Sequence, residues 1–403
     1  MQTSNLLHAV LRRGRDTAIA QGHPWIFSGS VASWSATPSV GAVVEVRSHD
    51  GRWLGRGLAN PDADLAIRVF THREDEPLDE ALLLQRVERA VAQRKALGLF
   101  GDADASTNAC RLIFSESDGL SGLVVDRYAD LLVVQVLARV WIPYLPAVCE
   151  RLQAIVGAKQ VCVQCQEDDA AREHMIEEAA RIRTAPPSAP VTFMENGLVF
   201  EWDAKQGQKT GFYLDQRENR RRVAAYAAGR SVLGAYCFTG AFEINLAQAG
   251  ASEVVGIDSS APALEQAKRH CALNGVNAPC EFIRGAVPEV LRRFRDARRS
   301  FDLIVLDPPR FVSSRNQLSK GLRAYKDINL LALKLLRPGG ILASFSCSGL
   351  VSTESFQEAI RWASIDARRE VILLDQLGQP ADHPVHLSVP ETRYLKGILA
   401  WAI

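Results

Sequence analysis

Three positions in the second half of the chain set a reactive side chain beside a strand end or a tight turn. They are Asp258 in VVGIDSS, Asp307 in LDPPRF and Cys347 in FSCSG. A carboxylate at a strand end accepts hydrogen bonds from a sugar or a base, and a thiolate is a strong nucleophile. Cys347 follows the apolar run ILASF, which itself follows the turn signal RPGG. The pattern predicts a turn at Gly339 and Gly340, then a buried strand that delivers the thiol near its far end. An isolated cysteine is usually inert packing, so its meaning depends on what accompanies it.

The first companion is a nucleotide-like turn. Strand SVLGAYC runs into FTGAF, where Gly240 lets the backbone turn closely before a helix whose first N–H groups are free. The next strand ends at Asp258, eighteen residues after Gly240, placed to accept both hydroxyls of a ribose. The turn is not GxGxxG: Tyr236 and Phe238 stand between Gly234 and Gly240. Such side chains keep a pyrophosphate away, so S-adenosylmethionine, a nucleoside with a small amino-acid tail, fits better than NAD. Its expected contacts are Tyr236, Phe238, Thr239, Gly240, Asp258 and Ser259. The second companion is LDPPRF. Two prolines after the acid fix an extended rim that presents carbonyl oxygens and the Asp307 carboxylate, with Pro308 beside the cofactor. That suits a planar, donor-bearing base edge.

These side chains need elements to position them. After residue 190 the sequence alternates apolar strands with amphipathic helices, from SVLGAYC to EVILLDQ, which predicts an α/β domain with a doubly wound, parallel, Rossmann-like sheet. Functional residues in such sheets gather at the carboxyl ends of the strands. The first seventy or so residues read as short strands: VVEV, a DG turn and WLGRGLA predict a β-hairpin, and HPWIFSG precedes it, as in a small β-barrel. DEALLLQRVERAVAQRKALG has helical spacing and a glycine stop, and APPSAP is a proline-rich joint. The expected domains are residues 1–74, 75–189 and 190–403.

The 403 residues, 47% hydrophobic and 23% charged, describe an ordinary globular protein of more than one domain. The N-terminus carries no secretory signal pattern, and LLVVQVLARVWIPYLPAV is too interrupted to span a bilayer, so no membrane association is expected. Eight cysteines in a chain this long form no disulfide framework, which points to reduced thiols in the cytoplasm. Cys162 and Cys165 make one CxxC in a strand-like context, so no metal site is expected. Net charge is only +1, yet Arg12, Arg13 and Arg15 cluster, as do RENRRR and RRFRDARR. As a set they offer phosphate contacts, with Arg310 in the DPP rim a further one.

LGAYCFTGAF, the acid in GIDSS, and DPPRF together resemble class I S-adenosylmethionine-dependent methyltransferases. GQKTGFYLDQRENRR (207–221) and HPVHLSVPETRYLKG (383–397) resemble the large-subunit (23S) ribosomal RNA cytosine-5 methyltransferase family, and HPWIFSG and WLGRGLAN its PUA module. The resemblance implies an N-terminal PUA β-barrel, a central β-rich α+β domain and a methyltransferase domain. It implies ribosomal RNA as partner, and Gln208, Thr210 and Asp215 near the cofactor; a homodimer is the assembly allowed for. Methylating C5 of cytosine requires a nucleophile at C6, which assigns Cys347 and Asp307 as catalytic residues. Two positions depart from expectation. Ala286 stands where many methyltransferases hold the adenine with an acid, and DPPRF lacks the cysteine found there in other RNA cytosine-5 methyltransferases. Methylation of a guanine ring nitrogen or amino group stays open as an alternative, as does a non-catalytic RNA-binding assembly factor.

Overall fold

The computed structural model describes residues 6–99, 106–203 and 211–403, and it divides into two compact units. One comprises Met1–Met194, Trp202–Phe212 and Ala381–Thr392; the other comprises Glu195–Glu201, Tyr213–Pro380 and Arg393–Ile403.

In the first unit the expected hairpin is present, Val43–Arg47 pairing antiparallel with Trp53–Ala59 inside a six-stranded sheet. Its alternating side chains, among them Val44, Val46, Leu54 and Ile67, form a small core. The helix Glu80–Ala96 starts where Asp79 accepts a hydrogen bond from the Leu82 amide at 2.9 Å, a side-chain cap on an otherwise orphaned donor. Its apolar face lies on a core shared with a four-stranded sheet of Ala109–Phe114, Leu123–Tyr128, Leu131–Val136 and Gln160–Gln164. On the same buried face, one turn after Ala90, Arg94 grips Asp118 with two hydrogen bonds of 2.5 and 2.8 Å.

The second unit is built on seven strands: β1 (Ser231–Ala235), β2 (Glu253–Asp258), β3 (Cys280–Arg284), β4 (Phe301–Leu306), β5 (Leu336–Ser346), β6 (Val371–Gly378) and β7 (Lys396–Ala402). Their order is β3-β2-β1-β4-β5-β7-β6. The helices are α1 (Arg217–Ala224), α2 (Ala241–Gln248), α3 (Ala261–Leu273), α4 (Val287–Asp296), α5 (Leu318–Leu335) and α6 (Thr353–Ala367). Strand residues alternate between two cores. Leu233, Val255, Ile304 and Leu342 meet α4, α5 and α6 through Leu291, Ile328 and Phe356. Val232, Val254, Leu303 and Ile341 meet α1 and α2 through Val223, Phe242 and Leu246. Burial on both faces is why these strands are apolar throughout rather than alternating.

Two details differ from the sequence reading. The sheet is not wholly parallel, because β7 inserts antiparallel between β5 and β6. RPGG does not precede the strand but lies inside it. β5 runs from Leu336, and Gly339, at φ +76°, absorbs an irregularity that shifts the register against β4. A continuous apolar strand tolerates such a bulge where a glycine accepts the left-handed conformation.

Candidate active site

The carboxyl ends of β2, β1, β4 and β5 are neighbours in the sheet, so the segments that follow them converge. After β1 the chain makes a turn with three left-handed residues, Tyr236 (φ +64°), Phe238 (φ +48°) and Gly240 (φ +76°). Two of these are bulky side chains in a conformation they rarely adopt, so the turn must be held from outside. Asp258 does this: one carboxylate oxygen accepts from the Phe238 amide and the other from Ser260, both at 2.9 Å. Each oxygen keeps a lone pair for a further donor. His270 ties the other side. Its Nε2 accepts from the Glu201 amide at 3.0 Å, so Nδ1 carries the proton and donates to the Thr239 carbonyl at 2.9 Å. Burial pushes this imidazole below its ordinary pKa, in keeping with a neutral ring. A side chain at Gly240 would meet the Ala267 methyl at 2.8 Å, so glycine is needed here for space as well as for conformation.

Beneath the turn lies Glu243 of α2. A Cβ built on Gly234 would fall 1.6 Å from its Oε1, so the glycine of β1 makes room for this carboxyl. Glu243 is buried, and among the described residues its Oε2 has no hydrogen-bond partner. Burial, with Asp307 and Asp258 adding to it, raises its pKa to about 8.

Asp307 follows β4. Gln216 donates to its Oδ1 at 3.0 Å; Gln216 is itself fixed by Asn219, which bonds to its side-chain oxygen at 2.5 Å and to the Gly378 carbonyl at 3.0 Å. Burial, and then the Asp215 charge, raise the Asp307 pKa to about 7, against the hydrogen bond from Gln216 and the field of Arg220. Asp215 accepts a 2.6 Å hydrogen bond from Tyr394, while its Oδ1 is buried with no partner among the described residues. Tyr213 packs edge-on to Phe238 with ring centres 5.3 Å apart, and burial raises its phenol pKa, with Asp307, Asp215, Cys347 and Asp258 contributing.

Cys347 leaves β5 half-buried, and its thiol donates to the Pro308 carbonyl at 3.9 Å. The rim therefore presents its carbonyl to the thiol. The serines on either side point the other way. Ser346 donates to the Tyr325 hydroxyl at 2.8 Å, and that hydroxyl lies 3.0 Å from Ser348 Oγ. Tyr325 thus holds both neighbours of the cysteine. Lys396 of β7 completes the brace, donating to the Ser348 and Val351 carbonyls at 2.6 and 2.7 Å.

The structure gathers Asp215, Tyr236, Phe238, Thr239, Gly240, Asp258, Ser259, Asp307, Pro308 and Cys347 in this one unit, at or beside these strand ends. Gln208 and Thr210 lie outside the described residues. Arg310 is exposed just past the rim, and Arg12, Arg13 and Arg15 are exposed on the other unit. Sequence reasoning missed Gln216, Asn219, Tyr325, Tyr394 and Lys396. Gln216 and Lys396 lie within GFYLDQR and YLKG, stretches whose family resemblance was the available signal. Among the described residues no cluster of metal-ligating side chains is present, and no helix is long and apolar enough to cross a membrane. Two buried carboxyl oxygens without partners among the described residues, on Glu243 and Asp215, suit a ligand that carries hydrogen-bond donors or positive charge.

Comparison with known proteins gives the same direction. Residues 131–377 match the S-adenosylmethionine-dependent methyltransferase family and residues 9–72 match a PUA-like domain. The chain is 38% identical over 392 residues to "Ribosomal RNA large subunit methyltransferase I" of Shewanella denitrificans, covering 97% of this chain and 98% of that one. The protein of the same name from an Enterobacter species is 38% identical over 391 residues, covering 96% and 97%. The solved structure of SMU.776 complexed with SAH is similar in fold, with a TM-score of 0.82 at 17% identity, covering 98% of this chain and 99% of that one. With its carboxyl-lined turn, its DPP rim and relatives that match it from end to end, the chain belongs to the ribosomal RNA large subunit methyltransferase I family of S-adenosylmethionine-dependent methyltransferases.

Proposed function

We propose that this protein forms 5-methylcytosine in large-subunit (23S) ribosomal RNA, with Cys347 as covalent nucleophile and Asp307 as the partner of the cytosine ring. The observation that carries the reading is the presentation of the Cys347 thiol at the end of β5. It faces the Pro308 carbonyl next to Asp307, on a loop whose flanking serines are held by Tyr325 and whose Ser348 and Val351 carbonyls are held by Lys396. S-adenosylmethionine, when bound, supplies the methyl group. Asp258 and the turn 236–240 would hold its nucleoside, and Asp215 and Glu243 offer unpartnered carboxyl oxygens to its cationic tail.

Carbon 5 of cytosine is too weakly nucleophilic to be methylated directly. Addition of the Cys347 thiolate to C6 pushes an electron pair through the ring towards N3 and makes C5 electron-rich. An Asp307 carboxyl titrating at about 7 is protonated in part of the molecules at neutral pH, and can donate to N3 as that charge develops. After methylation the C5 proton leaves to a base, the C5–C6 double bond re-forms and the thiolate departs. Ala286 is exposed at the start of α4, so this reading leaves adenine to backbone groups.

RNA carrying 5-fluorocytosine tests the assignment, because fluorine cannot leave as a proton and the adduct is trapped. Wild-type protein is expected to form a covalent complex that Cys347→Ala abolishes. A competent substrate that is methylated without trapping, or a complex that survives Cys347→Ala, overturns it in favour of methylation on nitrogen. Mass mapping of large-subunit RNA from cells with and without the gene identifies the nucleotide.

A further inference from the structure

We propose that Lys396 is the positioning cation of the nucleophile: its ammonium fixes the loop 347–351 and holds Cys347 in the thiolate form. The inference rests on Cys347 being the reacting group, and it supplies what that reading lacks, a source of thiolate stabilisation.

The geometry starts in the sheet. Lys396 opens β7 directly opposite Ser346, the last residue of β5, so its side chain starts level with the point where Cys347 leaves the sheet. It is only 6% exposed, and lysine is rarely buried without a partner. Its Nζ bonds to two backbone carbonyls, those of Ser348 and Val351, which are neutral. No carboxylate forms an ion pair with it among the described residues. A buried ammonium held only by carbonyls is costly, and the ionisable group whose field acts on it is Cys347.

The other groups around the thiol work against ionisation. Tyr325 and Tyr213 are phenols electrostatically coupled to Cys347, and Asp307, Asp215 and Asp258 surround Tyr213. Carboxylates at this range disfavour a second anion. From α5 and from the segment 213–216 the thiol therefore meets phenols, and the acids at the ends of β2 and β4 act on the same Tyr213 as the thiol does. From β7 it meets an ammonium. When Cys347 ionises, its S–H proton goes to solvent and Lys396 keeps all three of its own. Burial lowers the Lys396 pKa to about 8, so the ammonium form still predominates at neutral pH, and the thiolate in turn favours it.

The experiment is the pH dependence of Cys347 alkylation by iodoacetamide, read at that residue by peptide mass spectrometry because seven other cysteines are present. Lys396→Met removes the charge and keeps the bulk; Lys396→Gln also keeps a donor for the carbonyls; Lys396→Arg keeps the charge. Loss of the charge is expected to raise the apparent pKa of alkylation by about 1 unit or more and to slow the reaction at pH 7 about tenfold. Lys396→Arg is expected to restore most of it. Binding of S-adenosylhomocysteine reports whether each variant is folded. Profiles of Lys396→Gln and Lys396→Met that overlay the wild type overturn the proposal, as does a shift that Lys396→Arg shares in full. Should Lys396→Met not fold, the Lys396→Gln and Lys396→Arg pair decides alone. Fluorocytosine trapping separates the two readings. Trapping by wild type with an unchanged alkylation profile in the variants removes only the role of Lys396. A shifted profile without trapping removes only the cytosine reaction.

Discussion

Buried charge is handled in opposite ways in the two units. In the first, Arg94 and Asp118 are paired through two hydrogen bonds, Asp118 also accepts from the Phe114 amide at 2.6 Å, and Arg111 holds the buried Asp126 with two more, at 2.8 and 2.9 Å. Around the strand ends of the second, Glu243 and Asp215 each keep a buried oxygen with no partner among the described residues. Glu243 and Asp307 are pushed towards the neutral form. Saturated pairs fix a structure. Carboxyls left short of donors raise the free energy of the empty site and lower it again when a cationic or donor-bearing ligand arrives. The same unit also contains a saturated pair, Arg220 with Glu195 at 2.6 and 2.7 Å, so the deficit belongs to the site and not to the fold around it.

This contrast can be broken at several points. Arg94→Met strands the Asp118 carboxylate, and it should cost about 3–5 kcal/mol of stability, seen as a lower thermal midpoint. Alkylation of Cys347 in the folded protein should not change. A silent Arg94→Met would mean that pairing in the first unit is dispensable.

Asp307→Asn should slow fluorocytosine trapping about tenfold to a hundredfold at pH 7, without loss of stability. Asp307 donates only while protonated. The wild-type rate should therefore fall as pH rises through about 7, and the variant should lack that limb. A variant that keeps the limb would assign it to another group.

Glu243→Gln should stabilise the protein, and the sign follows from the raised pKa. Below about 4.5 the carboxyl is protonated whether the chain is folded or not. Between there and about 8 only the unfolded chain ionises, so wild-type stability declines as pH rises. The variant lacks that decline, and its advantage should grow to about 4 kcal/mol by pH 8 in denaturant titrations. A constant difference across pH would show that Glu243 titrates normally.

The smallest effect is expected from charge reversal at Arg12, Arg13 and Arg15. Affinity for ribosomal RNA should fall about tenfold, with a shallower salt dependence and unchanged S-adenosylhomocysteine binding. An unchanged salt slope would remove these arginines from the RNA surface.

Much of the site was legible because one rule placed it. Once the alternation of strands and helices implies a parallel sheet, Asp258, Asp307 and Cys347 fall at carboxyl ends that lie side by side. What supports them was hidden by distance along the chain. Gln216 reaches Asp307 across 91 residues and Tyr394 reaches Asp215 across 179, and no local pattern encodes such a partner. Glu243 illustrates another limit. Nothing local to AFEINLAQ marks its acid as buried; the missing side chain at Gly234 is what admits the carboxyl to the interior. The antiparallel strand β7 escaped because KGILAWAI carries no mark of direction; direction is set by which neighbours it finds.

The position of β7 bears on how the molecule is made. Among the described residues β6 pairs only with β7, and β7 alone separates it from β5. Synthesis proceeds from the amino end, so β5 and β6 emerge with a one-strand gap between them, and the strand that fills it comes last. Until it docks, β6 has no partner and the loop bearing Cys347 lacks its lysine anchor. Closing such a gap joins segments far apart in the chain, a slow kind of step in folding. The loop bearing Cys347 is therefore completed only once β7 has docked.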